Sequence, residues 1–579
     1  MNKLRSIIID DITSNLIDQE ITLAGWVKNH RDFGKFIFID IRDFSGVFQV
    51  VINEEDSFYE QAKKLHLEDC ISVSGIVRKR SNINEKIKNG DLELAVNNLE
   101  IINQTKSIPF ALEDEVEASE DTRMTYRYLD LRRDVMQNNL RTRHKITSSI
   151  RRFLDAQRFC EIETPILTKS TPEGARDYVV PSRVNVGNFY ALPQSPQIYK
   201  NLLMIGGIER YYQITKCFRD EDLRSDRQPE FTQIDMEMSF MSEAEIRSLI
   251  EDMVKQVMLD VKGIDIKEDF PIISYQEAMD KYGSDKPDTR YEMLIEDVTD
   301  IFTNSEFRVF SNAEYVRCIK ASSADIFSRK VIDKLEQCAK QNHAKGLAWL
   351  KYVENEFNGG VSKNLSEEEL NTLKQRLNLE NNEIVFFVAD SWHTCCNALG
   401  AIRIEVANRL ELIDQDKYNF LWVVDWPMFE YDEELDRLFA MHHPFTMPAN
   451  EEFSANPIET KAQAYDIVLN GYELGGGSIR INNPKLQHQM FELLSMDEKE
   501  IKEKFSFFIE AYSYGAPYHG GVALGLDRFA MILTGSDSIR DVIAFPKNNK
   551  AVDLMMEAPS LIDNEQLDEL GIEVRDENN

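Results

Sequence analysis

The stretch CFRDEDLRSDRQPEFTQIDMEM, Cys217–Met238, concentrates side chains able to hold anions, cations or a metal. An arginine such as Arg219 can grip a phosphate or carboxylate through two parallel hydrogen bonds, and the acids can hold a cationic group. Strand parity sorts these groups. Tyr212, Ile214 and Phe218 share one face, and Gln213, Thr215 and Arg219 the other. Downstream, Thr232, Ile234, Met236, Met238 and Phe240 form a largely apolar face opposite Gln233, Asp235 and Glu237. Two strands joined by DEDLRSDRQPE would each bury one face and present Arg219, Gln233 and Asp235 on the other. A solvated loop has no such parity.

Other stretches carry weaker signals. In YALPQSPQIYKNLLM two prolines precede a helix start, with Ser195 as its expected N-cap and Gln197 and Lys200 on one face of the first turn. A lone lysine there is ordinarily surface decoration. YELGGGSIRINN sets three glycines before an alternating run bearing Arg480. Glycines let a backbone approach a ligand, although a flexible turn is the commoner reason. Adjacent His442 and His443 point in different directions on a regular element, which argues against a shared metal. YHGGVALGLDRFAMIL reads as a strand-to-helix passage with Asp527 and Arg528 at the helix start, a weak phosphate signal by itself.

The elements that must position these groups fall into several domains, because 579 residues exceed one core. ITLAGWVKNH, KFIFIDIR and VFQVVIN, separated by the turn signals RDFG and DFSG, predict a small N-terminal β-barrel. Ile37, Ile39 and Ile41 face its core, Phe36 and Phe38 the other side; Phe48, Val50 and Ile52 are buried and Gln49 turns outward. Exposed aromatics beside polar groups suit unstacked bases, while packing on a neighbouring domain is the plainer reading. An acidic stretch after Ser107 reads as a linker. The arginines from Arg132 to Arg152 read as a solvated helix face with i, i+4 partners. The span from Leu294 to Glu411 has the texture of an inserted α/β domain, and the acidic end of the chain that of an appended helix or loose tail.

A net charge of -33, from 67 basic and 100 acidic side chains, argues against non-specific nucleic-acid binding but allows a local basic path such as VRKR with Lys86 and Lys88. Seven cysteines without metal spacing argue against a disulfide framework. No apolar leader or membrane-length run is visible, so a soluble, cytoplasmic protein is expected, with no membrane and no DNA partner.

FCEIETPILTKSTPEGARDY, FRDEDLRSDRQPEFTQID and GVALGLDRF stand in the order and spacing of the three signature motifs of class II aminoacyl-tRNA synthetases. With GWVKNHRDFGKFIFIDIRD, LPQSPQIYK, YGSDKPDTR, AMHHPF and GYELGGGSIRI, the chain resembles bacterial-type aspartyl-tRNA synthetases along nearly its whole length. The resemblance implies an α+β multidomain protein. Its parts are an OB-fold anticodon-binding barrel (1–105), a hinge (106–135) and an antiparallel-sheet catalytic domain (136–293 and 412–550). That domain is split by the bacterial-type insertion (294–411), and an extension (551–579) follows.

The implied reaction joins L-aspartate to ATP, releasing pyrophosphate, and then moves the aspartyl group to tRNA(Asp). Arg219 and Arg528 are the implied catalytic residues. Arg219, Asp220, Glu221, Gln228, Glu473, Gly525, Leu526, Asp527 and Arg528 would contact ATP, and Asp466 and Glu473 would hold Mg²⁺. Glu173, Ser195, Gln197, Lys200, Arg219, Gln233, Asp235, His442, His443 and Arg480 would contact aspartate. Lys200 and Arg480 would receive its side-chain carboxylate, and Asp235 would orient Lys200. Phe38, Gln49, Glu93 and Phe33 would meet the anticodon. Phe33 matches neither turn pattern associated with strict or relaxed enzymes, which leaves tRNA(Asn) open as a second substrate. The family also implies a homodimer with the region around Pro165 at its interface. The alternatives are an asparaginyl-tRNA synthetase, which lacks this insertion and this lysine, a catalytically silent RNA-binding paralogue, and an amidating enzyme on the same catalytic fold.

Overall fold

Alternation in the first hundred residues closes into a barrel. Strands β1 (Glu20–Asp32), β2 (Phe36–Arg42), β3 (Val47–Asn53), β4 (Cys70–Lys79) and β5 (Leu92–Asn103) run in the order β1-β2-β3-β5-β4. The interior is filled by Ile37, Ile39, Ile41, Phe48, Val50 and Ile52, all fully buried, each worth about 1.5–3 kcal/mol of burial. RDFG makes the first hairpin turn: Gly34 adopts φ +81° and its N–H donates to Asp32 Oδ1 at 2.8 Å. The computed structural model describes residues 4–170, 174–432, 435–450 and 452–575, in two compact units, Met1–Ala118 and Ser119–Asn579.

The expected hinge, 106–135, divides at that boundary. Ser119 caps a helix over Glu120–Thr125, and the buried Arg127 donates to the carbonyls of Arg540, Ile543 and Ala544. Asp130, also buried, accepts from Arg127 and Arg133. The second half of this stretch therefore belongs to the second unit. Charged side chains bonded to distant carbonyls anchor it, leaving little apolar periodicity to read.

In the second unit α1 (Asp134–Ala156), α2 (Gln197–Ile205), α3 (Glu243–Lys262), α4 (Tyr275–Tyr282) and α6 (Leu526–Thr534) accompany an eight-stranded sheet, whereas α5 (Trp392–Arg409) packs on a second sheet. Its strands are β6 (Cys160–Glu161), β7 (Arg210–Phe218), β8 (Glu230–Ser239), β9 (Ile272–Ser274), β10 (Phe420–Val424), β11 (Ala464–Leu469), β12 (Tyr472–Ile479) and β13 (His519–Gly525). They run in the order β9-β10-β11-β12-β13-β8-β7-β6, antiparallel except at the two outermost pairs. Ile234, Met236 and Met238 pack against Ile146 and Ile150 of α1 and Ile250 and Val254 of α3 in one core. Phe240 leaves the expected apolar face. The strand ends at Ser239, and Phe240 turns to φ +60° and is exposed.

Between Glu296 and Asp390 five further strands build a separate sheet with its own apolar clusters. A polar clasp joins it to α4. Asp280 Oδ1 accepts from Arg317 Nη1 at 2.9 Å and from Trp392 Nε1 at 2.8 Å. Arg403 of α5 donates to the carbonyls of Asp288, Tyr291 and Met293. Among the described residues no helix is long and apolar enough to cross a membrane.

At the clasp Gly283 adopts φ +66°, and a Cβ there would lie 2.2 Å from the Cys396 carbonyl oxygen. Gly283→Ala is expected to destabilise the second unit by at least about 1–3 kcal/mol, the usual cost of overpacking, read as a lower denaturation midpoint. A change within about 0.5 kcal/mol, typical of an unconstrained surface site, would contradict this close approach.

Candidate active site and nucleic-acid face

The paired strands β7 and β8 set Gln233 opposite Thr215, Asp235 opposite Gln213 and Glu237 opposite Tyr211. On β8's other side Gln233 meets Gly525, Asp235 meets Ala523 and Glu237 meets Gly521. Neighbours in register share a face, so this polar face has a floor of small residues. The glycines of β12 belong to the same design rather than to a turn. A Cβ on Gly476 would stand 2.4 Å from Asp466 Oδ1, and one on Gly521 would stand 2.0 Å from Glu237 Oε2.

Four charges stand on this floor, each at most 2% exposed. Lys200 Nζ, from α2, lies 3.0 Å from Asp235 Oδ1 and 3.2 Å from Glu237 Oε2. Arg480, just beyond β12, donates from Nε and Nη2 to the two Glu237 oxygens at 2.8 and 3.0 Å. Glu237 thus bridges both cations. Burial alone would raise its proton affinity, but Arg480 and Lys200 hold its carboxyl down at about 2. For Asp235 burial wins and shifts the carboxyl upward, against Lys200. The expected orientation of Lys200 by Asp235 is present; the bridging role of Glu237 was not foreseen.

Arg480 Nη1 also bonds His443 Nε2 at 2.5 Å. A guanidinium can only donate, and the Phe445 N–H points at Nδ1 at 3.2 Å, so donors face both ring nitrogens and disfavour the imidazolium form. Burial and Arg480 push His443 well below its ordinary range. His442 turns away, edge-on to Trp426 at 5.1 Å, with its Nε2 sealed from solvent and unpartnered among the described residues. Of the two histidines only His443 reaches the charged cluster through a described bond.

An open cavity adjoins this cluster and is lined by Arg219, Glu221, Gln228, Gln233, Glu473, Gly525, Asp527 and Arg528. Gln233 and Ala523 form part of its wall, and Asp235 lies one same-face step of about 6.6 Å further along β8. Arg219 sits over the Phe231 ring at 5.1 Å. Arg528 Nη2 donates to Asp226 at 3.1 Å and Nη1 to the Glu473 carbonyl, while its buried Nε has no partner among the described residues.

Several of the expected residues are engaged within the protein. Gln228 exchanges both amide groups with the Lys547 backbone, at 2.8 and 2.9 Å, while lining the cavity's edge. Asp527 accepts from Arg143 and from the Thr232 N–H, which occupies both carboxylate oxygens. The Leu526 side chain is buried in the core, leaving only its backbone for a ligand. Asp220 pairs with Arg176 at 3.7 Å and is absent from the cavity lining. Ser195 does not cap α2, whose N-cap is Pro196; it lines a separate pocket of about 430 Å³ with Lys169, Tyr199 and Phe507. Gln197 donates to Asn201 at 3.1 Å. Glu173 lies outside the described residues. Three arginines of α1 also depart from i, i+4 pairing, since Arg143, Arg151 and Arg152 bond Asp527, Glu161 and Asp260, whereas Arg141 donates to Gln137 four residues back.

Asp466 and Glu473 stand on neighbouring strands β11 and β12. Burial and then the Glu473 charge push the Asp466 carboxyl well above the usual carboxylate range. Two close carboxylates are a donor set suited to a hard cation, which would relieve that repulsion.

In the first unit, Phe33, Phe38, Gln49 and Glu93 all line one groove of about 1190 Å³, with Phe36, Arg78 and Arg80. Phe33 and Phe38 meet edge-on at 5.7 Å. Gln49 lies on the outer face as expected, but its neighbours cover it. It donates to Glu93 at 2.9 Å and accepts from Arg80 at 2.8 Å, while Arg78 donates to Glu93 at 2.8 Å. Aromatic faces beside prearranged donors and acceptors can stack and read unpaired bases.

The histidines make the second unit acid-sensitive. Burial, then Arg480, lowers His442 from its ordinary 6.5 to about 4. As pH falls from about 6.5 to about 4 the unfolded chain takes up this proton and the folded chain does not. Stability therefore drops over that window, by about 1.4 kcal/mol per pH unit for one such group. His442→Gln should flatten the unfolding free energy over that window; a pH profile parallel to that of the unaltered protein would contradict it.

Comparison with known proteins agrees with this geometry. Residues 119–549 match the model for class II tRNA synthetases (D, K and N), and residues 21–102 match an OB-fold nucleic acid binding domain. The aspartate–tRNA ligase of Streptococcus agalactiae serotype III (strain NEM316) is 54% identical over 98% of this chain and 99% of its own. That of Streptococcus pneumoniae (strain 70585) is 53% identical over 99% of each. Among solved structures, the asparaginyl-tRNA synthetase from Pyrococcus horikoshii complexed with asparaginyl-adenylate aligns with a TM-score of 0.60 at 20% identity, over 94% of this chain and 98% of that one. The aspartyl tRNA synthetase from Entamoeba histolytica gives 0.58 at 17%, over 94% and 91%. At such low identity the structural likeness speaks for the fold alone. The full-length relatives above half identity separate the aspartyl from the asparaginyl branch, and the chain belongs to the class II tRNA synthetases of the D, K and N group, in the aspartate–tRNA ligase family.

Proposed function

We propose that this chain is an aspartate–tRNA ligase whose amino-acid selectivity resides in the buried group Lys200, Arg480, Asp235 and Glu237. The observation that carries this reading is the placement of two cations, each held by carboxylates, one strand step from the cavity lined by Arg219 and Arg528. A side-chain carboxylate entering between Lys200 and Arg480 gains two charge-assisted contacts. An amide of the same shape leaves those donors poorly met, and a site built on buried polar contacts rejects such analogues strongly.

In the first step an α-carboxylate oxygen of aspartate attacks the α-phosphorus of ATP. The new O–P bond forms as the bond to the β-phosphate oxygen breaks, and pyrophosphate leaves. In the second, the terminal ribose hydroxyl of tRNA attacks the acyl carbon, and AMP leaves as the hydroxyl proton is lost. Both steps call for positioning and for cations where charge develops. Arg219, fixed over Phe231, faces the α-phosphate, and Arg528, with its free Nε, the distal phosphates. Glu221 and the backbone of Gly525 and Leu526 border the nucleotide, and Gln233 the α-carboxylate. Glu173 and Gln197 hold the α-ammonium group, and His443 closes the carboxylate receptor through Arg480.

Asp466 and Glu473 would hold Mg²⁺, which neutralises phosphate charge when bound. The groove around Phe33 and Phe38 takes the anticodon of tRNA(Asp), with Gln49 and Glu93 as hydrogen-bonding companions. The same reading extends to a cytoplasmic homodimer. Phe33, at the hairpin tip, is where discrimination against tRNA(Asn) is to be sought.

One paired experiment tests this division of labour. Lys200→Met should abolish aspartate-dependent ATP–pyrophosphate exchange, whereas Phe38→Ala should leave exchange intact and weaken tRNA charging. Near-normal exchange by the first variant, or equal loss of both activities by the second, would overturn the assignment.

A further inference from the structure

Asp527 lines the cavity, yet its carboxylate faces inward. Arg143 Nη1 donates to Oδ1, and the Thr232 N–H donates to Oδ2 at 2.7 Å. Arg143 closes the triangle by donating from Nη2 to Thr232 Oγ1 at 3.0 Å. The three residues come from three elements: Arg143 from α1, Thr232 from β8 and Asp527 from the first turn of α6. Asp527 is 4% exposed and Arg143 largely buried. The next residue after Asp527 is Arg528, whose guanidinium lines the cavity and is held by Asp226 and the Glu473 carbonyl.

From this geometry we infer that Arg143 is a positioning residue for ATP: through Asp527 it sets where α6 begins, and so where Arg528 presents its guanidinium. The inference rests on the reading of Arg528 as a contact for the ATP phosphates. Two other arrangements would have weakened it. Had Arg143 paired within its own helix, as the sequence pattern suggests, α1 would have no polar hold on the cavity wall. Had Asp527 kept an oxygen free, it could itself meet a cation or ligand. Both of its oxygens are engaged, and the Arg143 bonds are the kind a lysine cannot copy, since one planar guanidinium spans two acceptors. A helix start fixed by a charged pair and a strand N–H has little freedom to shift. Geometry at the reacting phosphates is sensitive to displacements of that size.

The test is a double-mutant cycle read as binding, not as turnover, on the full chain in magnesium buffer. Calorimetry gives Kd for ATP and, separately, for L-aspartate, for the unaltered protein, Arg143→Ala, Arg528→Ala and the double variant. Arg143→Ala should raise Kd for ATP by roughly ten- to hundredfold, within the range of about two- to 150-fold over which networked residues couple. It should leave Kd for aspartate within about twofold, as expected for independent sites. On the Arg528→Ala background it should add little, because its effect passes through that side chain. An equal rise on both backgrounds, or a parallel rise for aspartate, would overturn the inference and mark Arg143 as a general packing residue. Unchanged ATP affinity in Arg528→Ala would overturn the reading of the cavity itself, and this inference with it. Arg143→Lys, which keeps the charge but loses the fork, guards against misfolding of the alanine variant. It should fall between the unaltered protein and Arg143→Ala, and affinity equal to that of the unaltered protein would again contradict the fork's role.

Discussion

The bridge from Lys200 through Glu237 to Arg480 is the constraint on which the second unit depends. A buried ion stripped of its partner is strongly destabilising, and such a loss costs about 3–5 kcal/mol. Glu237 meets both cations, so neither is stranded, and Asp235 completes the balance at two charges of each sign. Such an arrangement requires that β8, β12 and β13 meet in the register observed, because Glu237 sits over Gly521 and Arg480 follows directly after β12. The glycines and alanine of the floor make room for it. The small residues and the charges are two halves of one solution.

In the proposed function that solution also serves discrimination. The cations are held before substrate arrives, so little reorganisation is needed when a carboxylate enters, and preorganised charge in a water-poor site is worth more than in solvent. His443, kept neutral beside Arg480, adds no third charge to the cluster. In the adjoining cavity the same economy appears in Gln228 and Asp527. Both line the cavity, yet both are engaged with the protein, and they fix the wall from which Arg219 and Arg528 project.

Much of this was legible in the sequence where parity decides. The isoleucines of β2 and the methionines of β8 sorted inward, and Arg219, Gln233 and Asp235 fell on one working face, because period-2 alternation is a local property. What escaped depends on partners far along the chain. Glu237 meets Arg480 across 243 residues, Gln228 meets Lys547 across 319 and Asp527 meets Arg143 across 384. No spacing rule reports such pairs. The glycines of β12 leave two readings open in the sequence, a close approach and a turn, for a related reason. A glycine needed beneath a neighbouring strand's carboxylate has the same letter as one needed for a bend, and only the sheet tells them apart. The hinge failed differently, since its second half is anchored by arginine–carbonyl bonds that leave no apolar rhythm.

The central claim is that two preset buried cations select a carboxylate over its amide. The most direct measurement is calorimetric binding of L-aspartate and L-asparagine to the unaltered full chain under identical conditions. The account predicts that aspartate binds at least about a hundredfold more tightly, as polar-site discrimination of this kind allows; comparable affinities for the two amino acids would contradict it.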